Sequence, residues 1–244
     1  MIKLKFFAVI CAIVLSTNIL SAQFKIGARA GFSLTNANYN FPSGDEELEN
    51  LLDPKMKPGF QVGVVGDYEL NTAFSVQSGI LFATQGWKID ADYERSEGGF
   101  YSKDQIKGKT NLNYFQVPIL AIYKLDLSGA KLLLQTGPYF GYGLGGKSNN
   151  ESSILRKYND EVIIDEKTSL DNKIKMGSGE DQVKAFDFGL NFGTGVQFGN
   201  IQTTLSYSIG LVNLYNKSTL DIMDEDISMK NKGFSLTITY LFGN

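Results

Sequence analysis

Five charged residues occupy strand positions that turn their side chains toward one common interior, where they could act together. They are Lys25, Arg29, Asp67, Glu69 and Asp187. Each alternates with apolar neighbours, which predicts that all five point into a β-barrel. The favoured expectation is a buried ion-pair network that fills a narrow interior, because eight strands leave room for little more than side chains. The alternative is a polar path for small solutes.

The residue types needed for catalysis are scarce. The chain has no histidine, and its one cysteine, Cys11, lies in an N-terminal apolar run. Histidine is the commonest general base, and no pair of strand carboxylates stands out as an acid and a nucleophile. We therefore predict a non-enzymatic protein with no catalytic residue and no cofactor. A lipid-modifying barrel enzyme is the less favoured alternative.

Carboxylates cluster in three stretches outside the apolar segments, and clustered carboxylates can bind Ca²⁺. The clusters lie within residues 45–53, 160–166 and 221–226. None has the Asp-x-Asp-x-Asp-Gly spacing of a calcium loop, so we expect solvated acidic loops and no metal site.

Eight segments with a two-residue alternation must position these side chains, because that period indicates a β-strand with one apolar face. The segments are residues 24–34, 60–70, 74–86, 113–125, 130–144, 186–198, 201–211 and 234–244. In the last segment Phe234, Tyr240 and Phe242 stand on the apolar face near the chain end. This terminal strand is expected to close the barrel against the first strand and to be recognised during assembly.

The connections between these strands alternate in length. Short turns fall at residues 71–73, 126–129 and 199–200, and Gly199-Asn200 suits a two-residue hairpin. Long connections span residues 35–58, 87–112, 145–184 and 212–232. This layout is typical of an eight-stranded, antiparallel, up-and-down transmembrane barrel with periplasmic turns and extracellular loops. Residues 161–165 have β character and are expected to extend the barrel wall, where an exposed edge could accept a partner's strand.

The apolar face of the strands is expected to face lipid. The opposite face is rich in Gly, Ser, Thr, Asn and Gln, which suits a crowded lumen better than a surface in water. Aromatic residues gather toward both ends of the strands, as they do at the two interfaces of a membrane. A soluble lipocalin-like carrier is the disfavoured alternative. Pro118 and Pro138 interrupt two of the strands and predict local irregularities.

The N-terminus has the pattern of a secretory signal peptide over residues 1–22. Lys3 and Lys5 precede an apolar run that is too short to span a bilayer, and Ser21-Ala22 supplies small residues for cleavage. Residues 23–244 would then form one cysteine-free domain. Loss of the two lysines takes the formal net charge from −3 to −5, so nothing indicates nucleic-acid binding.

Several motifs carry a family resemblance. The stretches are IGARAG (26–31), LNYFQVP (112–118), QTGPY (135–139), DFGLNFG (187–193) and the Tyr-Leu-Phe ending (240–242). With them the chain resembles the small outer-membrane barrel proteins of Bacteroidetes grouped as the PorT family. The resemblance implies an outer-membrane location and supplies no catalytic residues. We expect a monomer whose partners are outer-membrane lipid, the barrel assembly machinery and envelope proteins that contact its loops. The expected function is structural or interaction-based, and a narrow passive channel for small solutes is the alternative.

Overall fold

The computed structural model describes residues 23–40, 54–179, 182–216 and 228–243, and it is built from nine β-strands. They are β1 (Phe24–Asn40), β2 (Lys55–Glu69), β3 (Phe74–Glu97), β4 (Phe100–Asp126), β5 (Lys131–Tyr158), β6 (Glu161–Ile174), β7 (Phe186–Phe198), β8 (Ile201–Gly210) and β9 (Ser228–Phe242). Within these ranges no helix is long and apolar enough to cross a membrane. The proposed signal peptide, residues 1–22, lies outside the described residues.

Eight of the strands form a closed antiparallel ring, which confirms the predicted barrel. The pairing order β4-β3-β2-β1-β9-β8-β7-β5 is completed by pairing between β4 and β5. The terminal strand β9 lies between β1 and β8, with Phe234 opposite Leu34 and Tyr240 opposite both Ala28 and Ile201. Closure leaves no unpaired edge in the ring, as a spanning barrel requires.

The three short turns lie together at one end of the ring, here called the short-turn end. Gly199 takes a φ of +53°, which glycine adopts without steric cost, and Phe198 pairs with Ile201 across the turn. In another turn the Asn71 side chain accepts hydrogen bonds from the backbone N–H groups of Ala73 and Phe74, both at 2.9 Å. Local turn chemistry therefore fixes the register of the hairpins.

Two of the four predicted long loops are mostly β-structure, and β1, β2 and β9 each extend several residues into the other two. β3 and β4 continue to a tight turn at Gly98-Gly99, and β5 continues to a turn at Asn159-Asp160, where β6 begins. The alternation rule missed most of these extensions because both of their faces carry charges. The prediction of β character for residues 161–165 is confirmed, since β6 begins there. β6 pairs only with β5 in the described structure, so it is a ninth strand outside the ring. The acidic stretches at residues 45–53 and 221–226 lie outside the described residues.

The outward face of the ring is apolar and exposed, with aromatic residues concentrated toward its two ends. At the short-turn end these residues are Phe24, Tyr68, Phe74, Tyr123, Phe198, Tyr240 and Phe242. At the opposite end they are Phe32, Phe60, Phe82, Phe115, Phe140, Phe186 and Phe234. Ring contacts join several neighbours, with centroids 5.9 Å apart for Phe60 and Phe82 and 4.9 Å apart for Phe74 and Tyr123. Two aromatic girdles around an aliphatic band match a membrane interface.

The two prolines coincide with interruptions of the ladder but not with a change of register. Pairing of β3 with β4 is absent around Pro118, between the pairs Ser78–Ile119 and Leu81–Gln116. Beside Pro138, Gly137 has a φ of +159°. If a larger residue replaced this glycine, its Cβ atom would lie 2.0 Å from the Ile119 carbonyl oxygen, which is too close. Proline removes a ladder donor, and the neighbouring glycine accommodates the resulting close approach of the strands.

Candidate functional site: the filled lumen and the projecting sheet

Near the short-turn end, a charged layer crosses the lumen. Lys124 on β4 stands at its centre, with its ammonium 2.9 Å from Glu69 and 3.5 Å from Asp67. Lys25 lies 4.0 Å from Glu69. The Lys124 and Asp67 side chains are 1% and 0% exposed, so this ion pair is fully desolvated. The sequence placed Lys25, Asp67 and Glu69 in the lumen but did not single out Lys124.

Arg29 joins this layer through amides and a hydroxyl rather than through a carboxylate. Its guanidinium donates to Gln77 and, at 2.8 Å, to Thr239 on β9. The Gln77 amide donates in turn to Asp67 at 3.0 Å and to Gln202 at 3.1 Å. These contacts connect strands on opposite sides of the lumen. We call the group formed by Lys25, Arg29, Asp67, Glu69, Gln77 and Lys124 the charged layer.

Asp187 lies apart from the charged layer, at the other end of the lumen. Its carboxylate accepts hydrogen bonds from the Tyr139 hydroxyl at 3.2 Å and from the Asn231 amide at 3.0 Å. No lysine or arginine among the described residues comes within 4.0 Å of it. The reason is height along the barrel, since Asp187 pairs with Gly141, close to the outer girdle, whereas Asp67 pairs with Lys25 near the short turns.

An apolar layer caps the lumen above Asp187. It consists of Ala37, Trp87, Leu112, Tyr114, Leu214 and Met229, all buried. Tyr39 packs edge-on against Trp87 with ring centroids 5.4 Å apart. These side chains come from β1, β3, β4, β9 and the segment after β8, so only the closed barrel brings them together.

Between the two layers the lumen contains a cavity of about 70 Å³. Its lining is mixed: apolar Leu81 and Leu120 lie beside polar residues that include Arg29, Gln135 and Asn231. This volume suits a few water molecules but not a passing solute. The barrel is therefore closed by a charged layer on one side of the cavity and an apolar layer on the other.

Beyond the ring, four strands continue as a projecting sheet made of residues 88–97, 100–111, 146–158 and 161–174. One face of this sheet continues the lumen side of the barrel wall. Along β3, its side chains stand on the same side of the strand as Trp87, which points into the lumen. That face exposes Tyr93, Ile106, Ile164 and Leu170, each at least 39% accessible. The opposite face carries lysines, aspartates and glutamates along all four strands.

The projecting sheet has no apolar core, and polar contacts between side chains join its strands, one of them on the same face as Ile106. Arg156 on β5 grips Asp104 on β4 through two hydrogen bonds of 2.6 and 2.8 Å. The Tyr101 hydroxyl donates to Glu94 at 2.9 Å, and this bond raises the pKa of Tyr101 above its ordinary value. Within the described ranges, no group of three or more Asp, Glu, Cys or His side chains could hold a metal ion.

Residues 18–216 match the family model described as "Outer membrane protein beta-barrel domain". The chain belongs to this family. As an outer-membrane barrel it has its short turns on the periplasmic side and its projecting sheet outside the cell. No curated protein matches the chain.

Three solved outer-membrane proteins are similar to the chain at low sequence identity. Ail, the attachment invasion locus protein of Yersinia pestis, is 15% identical with a TM-score of 0.36, and the match covers 90% of this chain and 99% of that one. Neisserial surface protein A is 14% identical with a TM-score of 0.35, covering 89% and 97%. The N-terminal barrel of Pseudomonas aeruginosa OprF is 9% identical with a TM-score of 0.29, covering 88% and 97%.

Proposed function

We propose that this barrel is a non-enzymatic surface protein whose strands anchor it and whose projecting sheet binds another envelope or surface protein. In this proposal residues 1–22 direct export, the terminal strand with Phe234, Tyr240 and Phe242 is recognised by the barrel assembly machinery, and the folded protein is a monomer. The motif resemblance to the PorT family of Bacteroidetes supports a link to envelope or secretion machinery.

The observation that carries the proposal is the apolar face of the projecting sheet. Tyr93, Ile106 and Leu170 expose 50%, 41% and 57% of their surface beyond the membrane girdle, where no lipid covers them. Large apolar side chains exposed to water beyond the membrane are a feature of interaction sites. The lumen, by contrast, is filled with side chains apart from a cavity of about 70 Å³, which has room for water but not for a larger ligand.

The free edge of β6 gives such a partner a second means of attachment. In the described structure β6 pairs with β5 along residues 161–174 and has no strand on its other side. An exposed edge offers backbone donors and acceptors to an added strand, and the side chains beside it select which strand binds. A partner with an extended apolar segment fits both features.

Site-specific photo-crosslinking in the native outer membrane tests this proposal. A photoreactive residue replaces Leu170 on the apolar face in one variant and Asp171 on the opposite face in another. We expect a discrete crosslinked protein from position 170 and a much weaker one from position 171. Equal crosslinking at both positions, or none at position 170 in a folded barrel, would refute it.

A further inference from the structure

Three lysines lie side by side on three neighbouring strands, five or six residues beyond the extracellular girdle. Lys55 on β2 pairs with Lys88 on β3, and Lys88 pairs with Lys109 on β4. Like charges directly opposite each other destabilise a sheet. Among the described residues, no carboxylate lies within 4.0 Å of any of the three ammonium groups. We call Lys55, Lys88 and Lys109 the basic row.

A fourth lysine adds to the positive charge beside this row. Lys57 is only 2% exposed, and its ammonium donates to the Pro58 carbonyl at 3.2 Å. It lies beyond the girdle residue Phe60, outside the membrane-spanning part of β2. Burial and the nearby charges of Lys109 and Lys88 lower the pKa of Lys57. An anion bound at the row would relieve the repulsion among these groups.

The outward-facing lysines are confined to one side of the membrane. Besides the basic row, Lys147 and Lys173 pair with each other at the rim, and Lys230 and Lys232 continue it on β9. At the periplasmic end of the described strands, the lysines occupy lumen-facing positions: Lys25, Lys124 and Lys131. Among the described residues, the extracellular leaflet is therefore the lipid surface that meets a band of positive charge.

The height of the row indicates the kind of headgroup it can reach. Lys88 lies six residues beyond Phe82, and Lys109 lies six residues before Phe115. At about 3.3 Å per residue and a strand tilt of about 40°, this places the row about 15 Å above the girdle. A phospholipid headgroup layer is only about 6 Å deep on each side of the bilayer. Phosphates carried on a headgroup of several sugars extend far enough.

We propose that the basic row binds the phosphate groups of a phosphorylated glycolipid in the outer leaflet. The lysine stems can lie along the barrel wall while their ammonium groups meet the phosphates from the side. This contact would orient the barrel in the membrane and hold the base of the projecting sheet near the headgroups. It does not depend on the protein partner proposed above, and its test requires no such partner.

Native mass spectrometry of the folded mature protein in a neutral detergent tests the proposal. The probe is rough lipopolysaccharide with phosphorylated core sugars, compared with the same glycolipid after dephosphorylation and with phosphatidylglycerol. The test variant is Lys55→Gln/Lys88→Gln/Lys109→Gln. The control variant, Lys103→Gln/Lys107→Gln/Lys167→Gln, removes equal charge from the same face farther from the membrane. Unheated gel mobility establishes that each variant is folded.

We expect the test variant to bind the phosphorylated glycolipid on the order of 100-fold more weakly, since each lysine near an anionic surface contributes about fivefold. The control variant should stay within about twofold of the wild type, and the single variant Lys88→Gln should lose about fivefold. Three results would overturn the proposal: equal loss in the test and control variants, equal binding of the dephosphorylated lipid or phosphatidylglycerol, or displacement by inorganic phosphate, which would indicate a site for free anions.

Discussion

Removing the ammonium of Lys124 is the sharpest test of how the lumen is stabilised. The Lys124→Met substitution keeps most of the side-chain volume but leaves the Asp67 carboxylate, which is fully buried, without its cation. Breaking a buried ion pair from one side costs about 3–5 kcal/mol. We expect about 3 kcal/mol, the low end, because Gln77 and Ser75 still donate hydrogen bonds to Asp67.

Two further variants separate this effect from general disruption of the lumen. Lys25→Met removes a lysine whose ammonium lies 4.0 Å from Glu69 and whose side chain is 18% exposed. A looser and wetter pair of this kind contributes about 0–1 kcal/mol. The double variant Lys124→Met/Asp67→Asn removes both charges of the fully buried pair. It should recover about 2 kcal/mol of the loss, because Asp67 then carries no unpaired charge and the partly exposed Glu69 keeps Lys25 at 4.0 Å.

Equilibrium unfolding in urea, with the barrel inserted in lipid vesicles, measures these differences. The chain has one tryptophan, and Trp87 lies buried in the apolar layer, so its fluorescence reports the folded lumen. Equal losses for Lys124→Met and Lys25→Met would refute the reasoning. So would a double variant as unstable as Lys124→Met, since the cost would then not come from an unpaired carboxylate.

Three other outcomes are expected from the same structure. Leu205 is 52% exposed midway along β8 and faces lipid, so Leu205→Arg should lower the free energy of unfolding by about 2–4 kcal/mol. Ile201→Arg, at the girdle, should lower it by only about 0–1 kcal/mol. Equal losses for the two variants in urea unfolding would contradict this dependence on depth in the membrane. Planar-bilayer recordings should show no conductance steps for the wild type or for Arg29→Ala, because the apolar layer stays in place; steps that change with Arg29 would instead support a channel. In neutral detergent without phosphorylated lipid, Lys88→Glu should stabilise the barrel by about 1 kcal/mol, because it replaces a repulsive pair with Lys109 by an attractive one. The unfolding temperature, measured from the change in gel mobility on heating, should therefore rise, and a lower temperature would contradict this.

The ring strands were predictable because their signal is local. In β8, for example, Ile201, Leu205 and Ile209 face one way while polar residues face the other, and this pattern needs only the period of a strand and one apolar environment. The projecting sheet lacks that signal because neither of its faces is immersed in lipid. Farther along β6, for example, Glu166 and Thr168 alternate with Lys167 and Ser169, so neither face is apolar and the alternation rule reads this part of the strand as a loop.

The sequence determined which residues point into the lumen, but not which of them meet. Lys25, Asp67 and Glu69 were assigned to the interior by alternation, and so was Asp187, yet Asp187 lies far above the others in the barrel. Lys124 and Gln77 are ordinary lumen positions until the register of β2, β3 and β4 places them against Asp67.

Alternation, turn residues and the family motifs by themselves determined the barrel, its orientation and its place in the outer membrane, because each depends on residues close together in the chain. Only the tertiary structure decided the two layers that close the lumen, the free edge of β6 and the basic row. Lys55 and Lys109 lie far apart in the sequence, and the closed barrel brings them to opposite sides of Lys88. The reason is register: alternation fixes the face on which a side chain stands, whereas pairing between strands fixes its height and its neighbours.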